Sequence, residues 1–472
     1  IDRLTLSLGL RTERENVPSF SETGVPIEFG FADKLIPRFG FAYDVLGNSK
    51  VVIRGSFGRF FDRFKYELPR GSFGGDVFFR YYFVIPAAQQ APLSFTRAYA
   101  LANQFRGRLN FRVPANDPSQ NLVDPELKPV RQTEYTVGAQ FEVLKDLVLE
   151  TNYKRKQLDR TIEDVGIPDA EGNETYFIAN PGFGVASGAL IPGVPDFPKA
   201  ERQYDAFEVN LSKRLTRNYY LNASYTLSRL YGNYGGLANS DEGGRTSPNV
   251  NRVFDLPFEP FTASGEPNNG RLSTDRPHVF KAFGGFVVNY QDDNLFGRLG
   301  RRFGLTSGNS TDISMNYTLQ SGTPLTSRAD IVDVATIVLN ERGDLGRTEA
   351  FQQADLALRH RYRFGNDGRF AIEANLNILN LFNEANELGR NTLISPEIFF
   401  PEGGPNTGAI IPATGLRRRT NADAIRAIFS NNGQQQVQDA LSDDPTLRNA
   451  PYNQSNFFQG PRNVRFGFRF IF

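Results

Sequence analysis

Hydrophobic and polar residues alternate with a period of two along much of this 472-residue chain. Between residues 4 and 10, for example, four leucines alternate with polar or small residues. Successive side chains of a β-strand point to opposite faces, so this period predicts strands with one apolar and one polar face. Twelve such segments are predicted, at residues 4–10, 39–45, 51–57, 135–143, 147–153, 207–211, 221–227, 278–288, 313–319, 356–364, 370–378 and 464–472. In the eighth of them, 278–288, the alternation does not show which residues belong to which face.

The connections between these segments alternate strictly between short and long. A chain that crosses a bilayer up and down places every second connection on the same side, and outer-membrane barrels have short periplasmic turns and longer extracellular loops. The pattern predicts an all-β fold, an antiparallel up-and-down transmembrane β-barrel with long extracellular loops. A soluble sandwich or propeller is the alternative, although a sandwich has no reason to sort its loops in this way. The long connections are predicted at 15–34, 62–130, 160–202, 229–277, 321–350 and 384–462.

The composition is polar but rich in aromatic rings. The chain has 42 Phe and 18 Tyr residues, yet its mean hydropathy is −0.40. No apolar stretch approaches the roughly 20 residues that a spanning helix needs. Strands with a lipid-facing apolar side and a polar lumen side reconcile the two observations, because the rings then supply lipid-facing surface and interfacial girdle. The lack of Trp counts against such a girdle.

Several classes of chemistry are excluded or disfavoured. The chain has no Cys, which removes disulfides and thiolate metal sites, and its only histidines are His278 and His360. A balance of 53 basic and 52 acidic residues disfavours nucleic acid as a partner. No nucleophile elbow, P-loop or zinc-protease motif is present. The sequence therefore predicts a protein that is not an enzyme and uses no cofactor.

Four segments resemble TonB-dependent outer-membrane receptors of the Oar-like group. They are residues 4–14 (LTLSLGLRTER), 37–62, 131–165 and 346–365. The resemblance extends over the whole chain, and it implies a plugged barrel of about 22 strands in the bacterial outer membrane. Since twelve strands are counted and one is already running at Ile1, we expect residues 1–472 to be the C-terminal part of that barrel domain. The signal peptide, carboxypeptidase-regulatory-like domain, TonB box and plug would have no counterpart in them.

The resemblance also implies a function. It indicates a receptor for TonB-dependent uptake of a nutrient ligand, whose partners are outer-membrane lipid and lipopolysaccharide, an unidentified extracellular ligand, and TonB acting through the plug region. Two other hypotheses remain open, namely a passive porin-like channel and a non-transport surface or adhesion protein that uses its large extracellular loops. The sequence leaves open whether the twelve strands close on themselves.

The last strand resembles the closing strand of bacterial outer-membrane barrels. Its alternating apolar residues end in a terminal Phe, which implies the signal that the barrel assembly machinery recognises. These residues are Val464, Phe466, Phe468, Phe470 and Phe472.

A charged group is predicted on the lumen-facing side of the last three strands. It is interpreted either as an electropositive wall that contacts the plug or an anionic substrate, or as a ladder of cross-strand ion pairs that solvates the lumen, which is the simpler explanation. Strand parity places His360 on the apolar face, so a metal role for it is not expected. The group comprises Arg359, Arg361, Arg363, Glu373, Asn375, Arg465 and Arg469.

Two loop features are weaker candidates. Asn239, Asp241, Glu242 and Asp255 offer oxygen atoms to calcium, but they lack any recognised ligand spacing, which favours solvated carboxylates and no metal site. The run 417–419 of three arginines precedes a helix-like stretch capped by Asn421. It is interpreted as pairing with lipopolysaccharide phosphates or a ligand, with a solvated basic run as the alternative.

Overall fold

All twelve predicted strands are present in the structure. A computed structural model describes residues 3–18, 25–64, 79–83, 105–110, 123–168, 174–216, 218–236, 254, 260–290, 295–302, 304–305, 308–331, 335–365, 369–395, 410–411, 416–417, 433–443 and 445–472. The strands are β1 Leu4–Arg11, β2 Ile36–Asp44, β3 Val51–Phe61, β4 Arg131–Leu144, β5 Leu147–Arg160, β6 Arg202–Thr216, β7 Tyr219–Gly232, β8 His278–Asn289, β9 Ser310–Gln320, β10 Phe351–Phe364, β11 Phe370–Leu379 and β12 Asn463–Ile471.

These strands form one sheet whose spatial order follows the chain from β1 to β12. Each strand pairs antiparallel with the one before it, which confirms the predicted up-and-down topology. Among the described residues no backbone pairing joins β1 to β12, so these strands are the edges of the sheet. Side chains there are more exposed than in the interior strands: Leu8 is 78% exposed and Phe468 is 81% exposed, against 40% for Ile53. In hydrocarbon each edge requires a hydrogen-bonded neighbour.

The pairing register assigns every residue to a face, including those of the ambiguous strand β8. Lys281 lies opposite Ser224, and Phe283 lies opposite Asn222. Both therefore belong to the polar face, where the ring of Phe283 lies 5.5 Å from that of Tyr220, centroid to centroid. Phe283 is a large apolar residue on the polar side, which explains why the period alone did not fix this register.

The short turns join the strands at one end of the sheet, at 45–50, 145–146, 217–218, 290–309 and 365–369. In the first of them, the carboxylate of Asp44 accepts hydrogen bonds from the backbone amides of Gly47, at 2.9 Å, and Ser49, at 2.7 Å. The second turn has Asp146 in the left-handed region, with φ of 65°. Asp tolerates that conformation better than most residues, because its short polar side chain bonds locally.

The six long connections, called long loops 1 to 6, contain structure of their own. They span 12–35, 62–130, 161–201, 233–277, 321–350 and 380–462. The short turn 290–309 contains helix α1, Leu295–Arg302, and long loop 6 contains helix α2, Gly433–Asp443. Among the described residues, no helix is long and apolar enough to cross a membrane. The strands of the long loops are Glu15–Val17, Ile27–Phe29, Phe79–Phe83, Phe105–Asn110, Glu163–Pro168, Glu174–Ala179, Gly270–Arg271, Arg328–Ile331, Ala335–Val338, Glu387–Arg390, Leu393–Ser395, Ile410–Ile411, Leu416–Arg417 and Ser455–Phe458.

Most of the buried apolar side chains belong to the long loops rather than to the sheet. They form three clusters, and two of the loops are shared between clusters, so the packing is continuous from loop 1 to loop 6. The first cluster joins loops 1, 2 and 3 through Val17, Ile27, Phe29, Phe64, Val123, Ile162 and Ile178. The second joins loops 3 and 4 through Val165, Ala179, Ala186, Phe197, Ala200, Tyr234, Phe254 and Phe261, with Leu158 of β5. The third joins loops 4, 5 and 6 through Ala263, Ala329, Ile337, Leu339, Ile394 and Leu441.

Two neighbouring positions of β7 test which face of the sheet contacts lipid. Ala223 lies opposite Leu211 on the apolar face, and Thr226 lies opposite Glu208 on the polar face. We expect Ala223→Arg to lower the free energy of unfolding in bilayers by about 2–4 kcal/mol, because its charge enters hydrocarbon. Thr226→Arg should cost less than about 1 kcal/mol. Denaturant unfolding in lipid vesicles measures both, and equal costs would contradict the assignment of the faces.

Candidate functional site

The polar face of the sheet is cross-linked by ion pairs between strands that are adjacent or separated by a single strand. The ammonium of Lys154 lies 2.6 Å from the carboxylate of Glu208, and that of Lys156 lies 3.3 Å from Glu134. Arg54 forms an ion pair with Glu150. Such pairs are partly screened by solvent and contribute modestly to stability. They keep the charges of this face largely matched across β3 to β6.

The register brings the predicted charged group together on the polar face of β10 to β12. Arg361 lies opposite Glu373, and Glu373 lies opposite Arg469. Arg359 lies opposite Asn375. Residues two apart on a strand share a face, so Arg363 and Arg465 belong to the same surface. We call these seven residues the arginine wall.

Ion pairs neutralise only part of the arginine wall. Arg361 pairs with Glu373 through two guanidinium nitrogens, Nε at 2.7 Å and Nη2. Arg359 donates to Asp312, with its Nη2 2.6 Å from the carboxylate Oδ2. Five arginines set against these two carboxylates leave an excess of three positive charges. Two cross-strand ion pairs are thus present on this surface, and both interpretations of the charged group stay predictions.

Asp312 is a partner that the sequence analysis missed. It lies on β9 directly opposite Arg359. As the neighbour of Ile313 it belongs to the polar face, but only the register of β9 against β10 shows which arginine it meets. The information that identifies Asp312 as the partner of Arg359 lies in the pairing of two strands, and the sequence of one strand does not contain it.

Two arginines of long loop 5, the buried Arg342 and the half-buried Arg347, tie that loop to long loop 4. The guanidinium of Arg342 donates to the backbone carbonyls of Asn268, at 3.0 Å, and Asn233, at 3.2 Å. Arg347 donates to the carboxylate of Asp275, whose side chain is fully buried, at 2.5 Å. The buried charge of Asp275 is therefore paired with a cation, as buried charges in proteins usually are. These contacts hold the two loops in a fixed arrangement.

Buried asparagines connect the remaining loops through backbone groups. The side-chain amide of Asn180 donates to the carbonyls of Lys128, at 2.9 Å, and Thr161, at 2.6 Å. Asn233 accepts from the amide of Glu201 at 2.7 Å and donates to the carbonyl of Lys199 at 2.8 Å. Each asparagine thus satisfies backbone groups that would otherwise be buried without partners.

Gly184 permits a close approach between long loops 2 and 3. Its φ is 53°, and a β-carbon at this position would collide with the carboxylate of Asp124. That carboxylate accepts hydrogen bonds from the amides of Val185, at 3.1 Å, and Glu126, at 2.8 Å. Only glycine combines this backbone conformation with the space that the acid requires.

Glu163 is a buried acid in the second cluster, 2% exposed. No donor among the described residues reaches hydrogen-bonding geometry to either of its oxygens, although the phenol of Tyr234 lies beside it. Burial, with a smaller effect of the charge of Asp164, raises the pKa of Glu163 well above its ordinary value of 4.5. Burial also raises the pKa of Tyr234. The loops therefore contain a carboxyl group whose neutral form is favoured by burial.

His360 lies on the apolar face, as strand parity predicts. Its Nδ1 is 2.8 Å from the hydroxyl of Thr311, and the ring of Tyr290 packs edge-on against it with centroids 6.1 Å apart. Within the described part of the chain, no group of three or more potential metal-ligating side chains is found.

The residues of the predicted assembly signal are exposed along the edge strand β12 and its end. Phe470 stacks on Phe370 at 6.1 Å and on Phe472 at 6.0 Å, and Phe364 joins the same group of rings. Their role in assembly stays a prediction.

The weaker loop candidates fall largely outside the described residues. This applies to Asn239, Asp241, Glu242, Asp255 and the helix-like stretch from Asn421. Of the basic run, Arg418 and Arg419 also lie outside, whereas Arg417 belongs to the strand Leu416–Arg417, which pairs with Ile410–Ile411.

An up-and-down sheet with one apolar and one polar face defines a class of protein, the outer-membrane β-barrels. Residues 30–400 match the family described as "Outer membrane beta barrel domain". The chain belongs to this family, and the protein lies in the bacterial outer membrane.

Individual proteins are similar to this chain as well. The TonB-dependent transporter Oar of Myxococcus xanthus is 27% identical over 493 residues, which cover 100% of this chain and 41% of Oar. The chain therefore spans less than half the length of that relative. Two solved structures are more distant. The ferripyoverdine receptor of Pseudomonas aeruginosa has a TM-score of 0.43 at 12% identity, covering 83% of this chain and 34% of that one. The Escherichia coli outer membrane transporter YddB has a TM-score of 0.42 at 10% identity, covering 83% and 41%.

The buried acid predicts an unusual dependence of stability on pH. Glu163 keeps its proton in the folded state above pH 4.5, where the unfolded state loses it, so its contribution to stability falls as the pH rises from 4.5 towards the folded pKa. Glu163→Gln should remove this loss, which has a slope of at most about 1.4 kcal/mol per pH unit. The variant should therefore be more stable than the parent near neutral pH and similar to it near pH 4. Rates of native-state proteolysis of the long loops across this range measure the difference.

Glu201→Gln is the matched control, because Glu201 is an exposed acid of the same loop. It should leave the pH dependence unchanged. A stabilisation by Glu163→Gln that is the same at every pH would contradict the buried neutral acid.

Proposed function

We propose that this chain forms the barrel part of an outer-membrane receptor that takes up a nutrient ligand in a TonB-dependent manner. The observation that carries the proposal is the similarity to Oar, a TonB-dependent transporter, over the entire length of this chain. TonB would act through a plug region outside residues 1–472. The proposed partners also include the lipid of the outer membrane, which would surround the apolar face. The barrel assembly machinery would act on β12, and lipopolysaccharide would lie near Arg417.

The packed long loops support ligand capture at the cell surface. Three apolar clusters and the buried contacts of Arg342, Arg347 and Asp275 hold the loops together. Ordering loops upon binding consumes binding free energy, so loops that are already packed bind a ligand more tightly for the same contacts.

The arginine wall supports a second part of the proposal. Its excess of three positive charges faces the lumen, where ordinary solvation would be served equally well by matched pairs, as on β3 to β6. We assign this excess to contact with an anionic partner, either a carboxylate of the plug or an anionic substrate in transit.

A growth comparison tests the transport proposal. A strain that lacks the full-length gene and a strain that lacks TonB should share a growth defect on at least one iron, vitamin or carbon source, because uptake needs both proteins. Restoring the gene should repair the defect in the first strain only. The assay is a panel of minimal media, each limited in a single nutrient.

The same experiment separates the alternatives. A defect that appears without the receptor but not without TonB would favour a passive channel, and planar-bilayer recordings of the purified protein would then show ohmic conductance. Loss of surface attachment with no nutrient defect would favour an adhesion protein.

Removing the unpaired charges of the arginine wall should slow uptake. The combined variant Arg363→Gln, Arg465→Gln and Arg469→Gln keeps the pairs of Arg359 and Arg361, so the sheet retains its ion pairs. We expect uptake of the nutrient identified by the growth comparison to fall about tenfold or more, since charged hydrogen bonds contribute about 1.5–3 kcal/mol each. Binding of the same radiolabelled nutrient at the cell surface should stay within about twofold.

Arg448→Gln, a change at an exposed arginine of long loop 6, is the control. The amount of receptor at the cell surface must be equal in all strains. Undiminished uptake by the triple variant would assign the wall to solvation alone.

A further inference from the structure

Helix α1 is the feature of the short-turn side that the transport proposal leaves unexplained. It has the sequence LFGRLGRR and lies in the turn 290–309, the longest of the short turns. It contains three arginines and no acid. Asp292 and Asp293 precede it in the sequence, outside the described residues. After Arg302 the chain reverses through Gly304, with φ of 76°, whose amide donates to the carbonyl of Arg301 at 3.0 Å. A basic last turn is favoured there, because the helix dipole is negative at that end.

The helix has three distinct sides. Gly297 and Gly300, three residues apart, are buried and form the side that packs on the protein. Leu295 and Leu299, four residues apart, form an apolar side, and their side chains are 61% and 44% exposed. The third side carries three exposed arginines: Arg298, Arg301 and Arg302.

The contacts of Tyr290 locate the helix on the lipid side of the sheet. A β-carbon at Gly300 would collide with the ring of Tyr290, so the helix lies directly against that ring. The same ring packs on His360, and its hydroxyl bonds to the hydroxyl of Thr311. Thr311 and His360 continue the apolar faces of β9 and β10, two residues from Ile313 and Leu358. The helix is therefore at the edge of the apolar band, on the side of the short turns.

Short turns of outer-membrane barrels lie at the periplasmic surface, where the sheet passes the headgroups of the inner leaflet. An interfacial helix buries its apolar side among the acyl chains and presents basic residues to anionic headgroups. The exposed leucines of α1 suit the acyl chains, and its exposed arginines suit the headgroups. In water, both leucines would leave a large part of their apolar side chains exposed, 61% and 44%.

We propose that α1 is an interfacial helix that binds anionic phospholipids of the periplasmic leaflet. Leu295 and Leu299 enter the acyl-chain boundary, and the guanidinium groups of Arg298, Arg301 and Arg302 contact lipid phosphates. The site is a lipid contact of the barrel itself and does not depend on which solute the protein transports.

Lipid-specific quenching tests the proposal in the full-length protein. Residues 1–472 contain no Cys, so Leu299→Cys adds the single labelling position within them for a nitrobenzoxadiazole fluorophore, and any cysteine elsewhere in the full-length protein is first replaced by serine. The labelled protein is placed in vesicles that contain equal amounts of phosphatidylglycerol and phosphatidylcholine, with a shallow doxyl group on one lipid or the other. We expect quenching by doxyl phosphatidylglycerol to exceed that by doxyl phosphatidylcholine about twofold or more at low salt, because basic residues concentrate anionic lipid around them.

Combining Arg298→Gln, Arg301→Gln and Arg302→Gln should bring the two quenching efficiencies together while quenching itself persists through the leucines. A label at Met315→Cys, which lies on the apolar face of β9 opposite Leu356, should be quenched equally by both lipids and serves as the matched control. Equal quenching of the Leu299 label by both lipids in the parent protein would overturn the headgroup specificity. An absence of quenching by either lipid would place the helix in water and overturn the proposal altogether.

Discussion

Backbone hydrogen bonding in hydrocarbon is the constraint on which the rest of this structure depends. A strand surrounded by lipid has no water to satisfy its amides and carbonyls, so every spanning segment must pair with a neighbour along its length. The antiparallel path from β1 to β12 does this for the ten interior strands and for one side of each edge strand. Register is then fixed across the sheet, and with it the face on which each side chain lies.

A sheet that gives its apolar face to lipid and its polar face to the lumen has no interior of its own. The aliphatic and aromatic residues of the strands are accordingly exposed in the protein alone, as Phe39, Leu227 and Ile372 illustrate. The hydrophobic core has to lie elsewhere, and it lies in the long loops, where three clusters are linked through loops 3 and 4. Packing therefore stabilises the part of the molecule that meets water, whereas lipid and hydrogen bonds stabilise the sheet.

This division explains what the sequence could predict. All twelve strands were found, because alternation with a period of two is a local signal that each strand carries by itself. β8 was assigned no register, since Phe283 breaks the pattern, and Asp312 was overlooked because its partner Arg359 lies on another strand. The sequence predicted where the long loops lie but not how they pack, although residues such as Ile178 and Phe261 are buried there. Their burial depends on contacts between loops distant in sequence, for which no periodic pattern exists.

Arginine has a different role in the long loops, on the polar face and in α1, because its planar guanidinium group offers five hydrogen-bond donors. In the long loops, Arg342 and Arg347 each donate to two backbone carbonyl groups at once. On the polar face, Arg361 pairs with Glu373 in a two-nitrogen contact. In α1, the arginines are exposed and the helix has no acid. A net charge of +1 over the whole chain thus conceals local imbalances, because five arginines of the arginine wall meet two carboxylates and α1 contains three arginines and no acid.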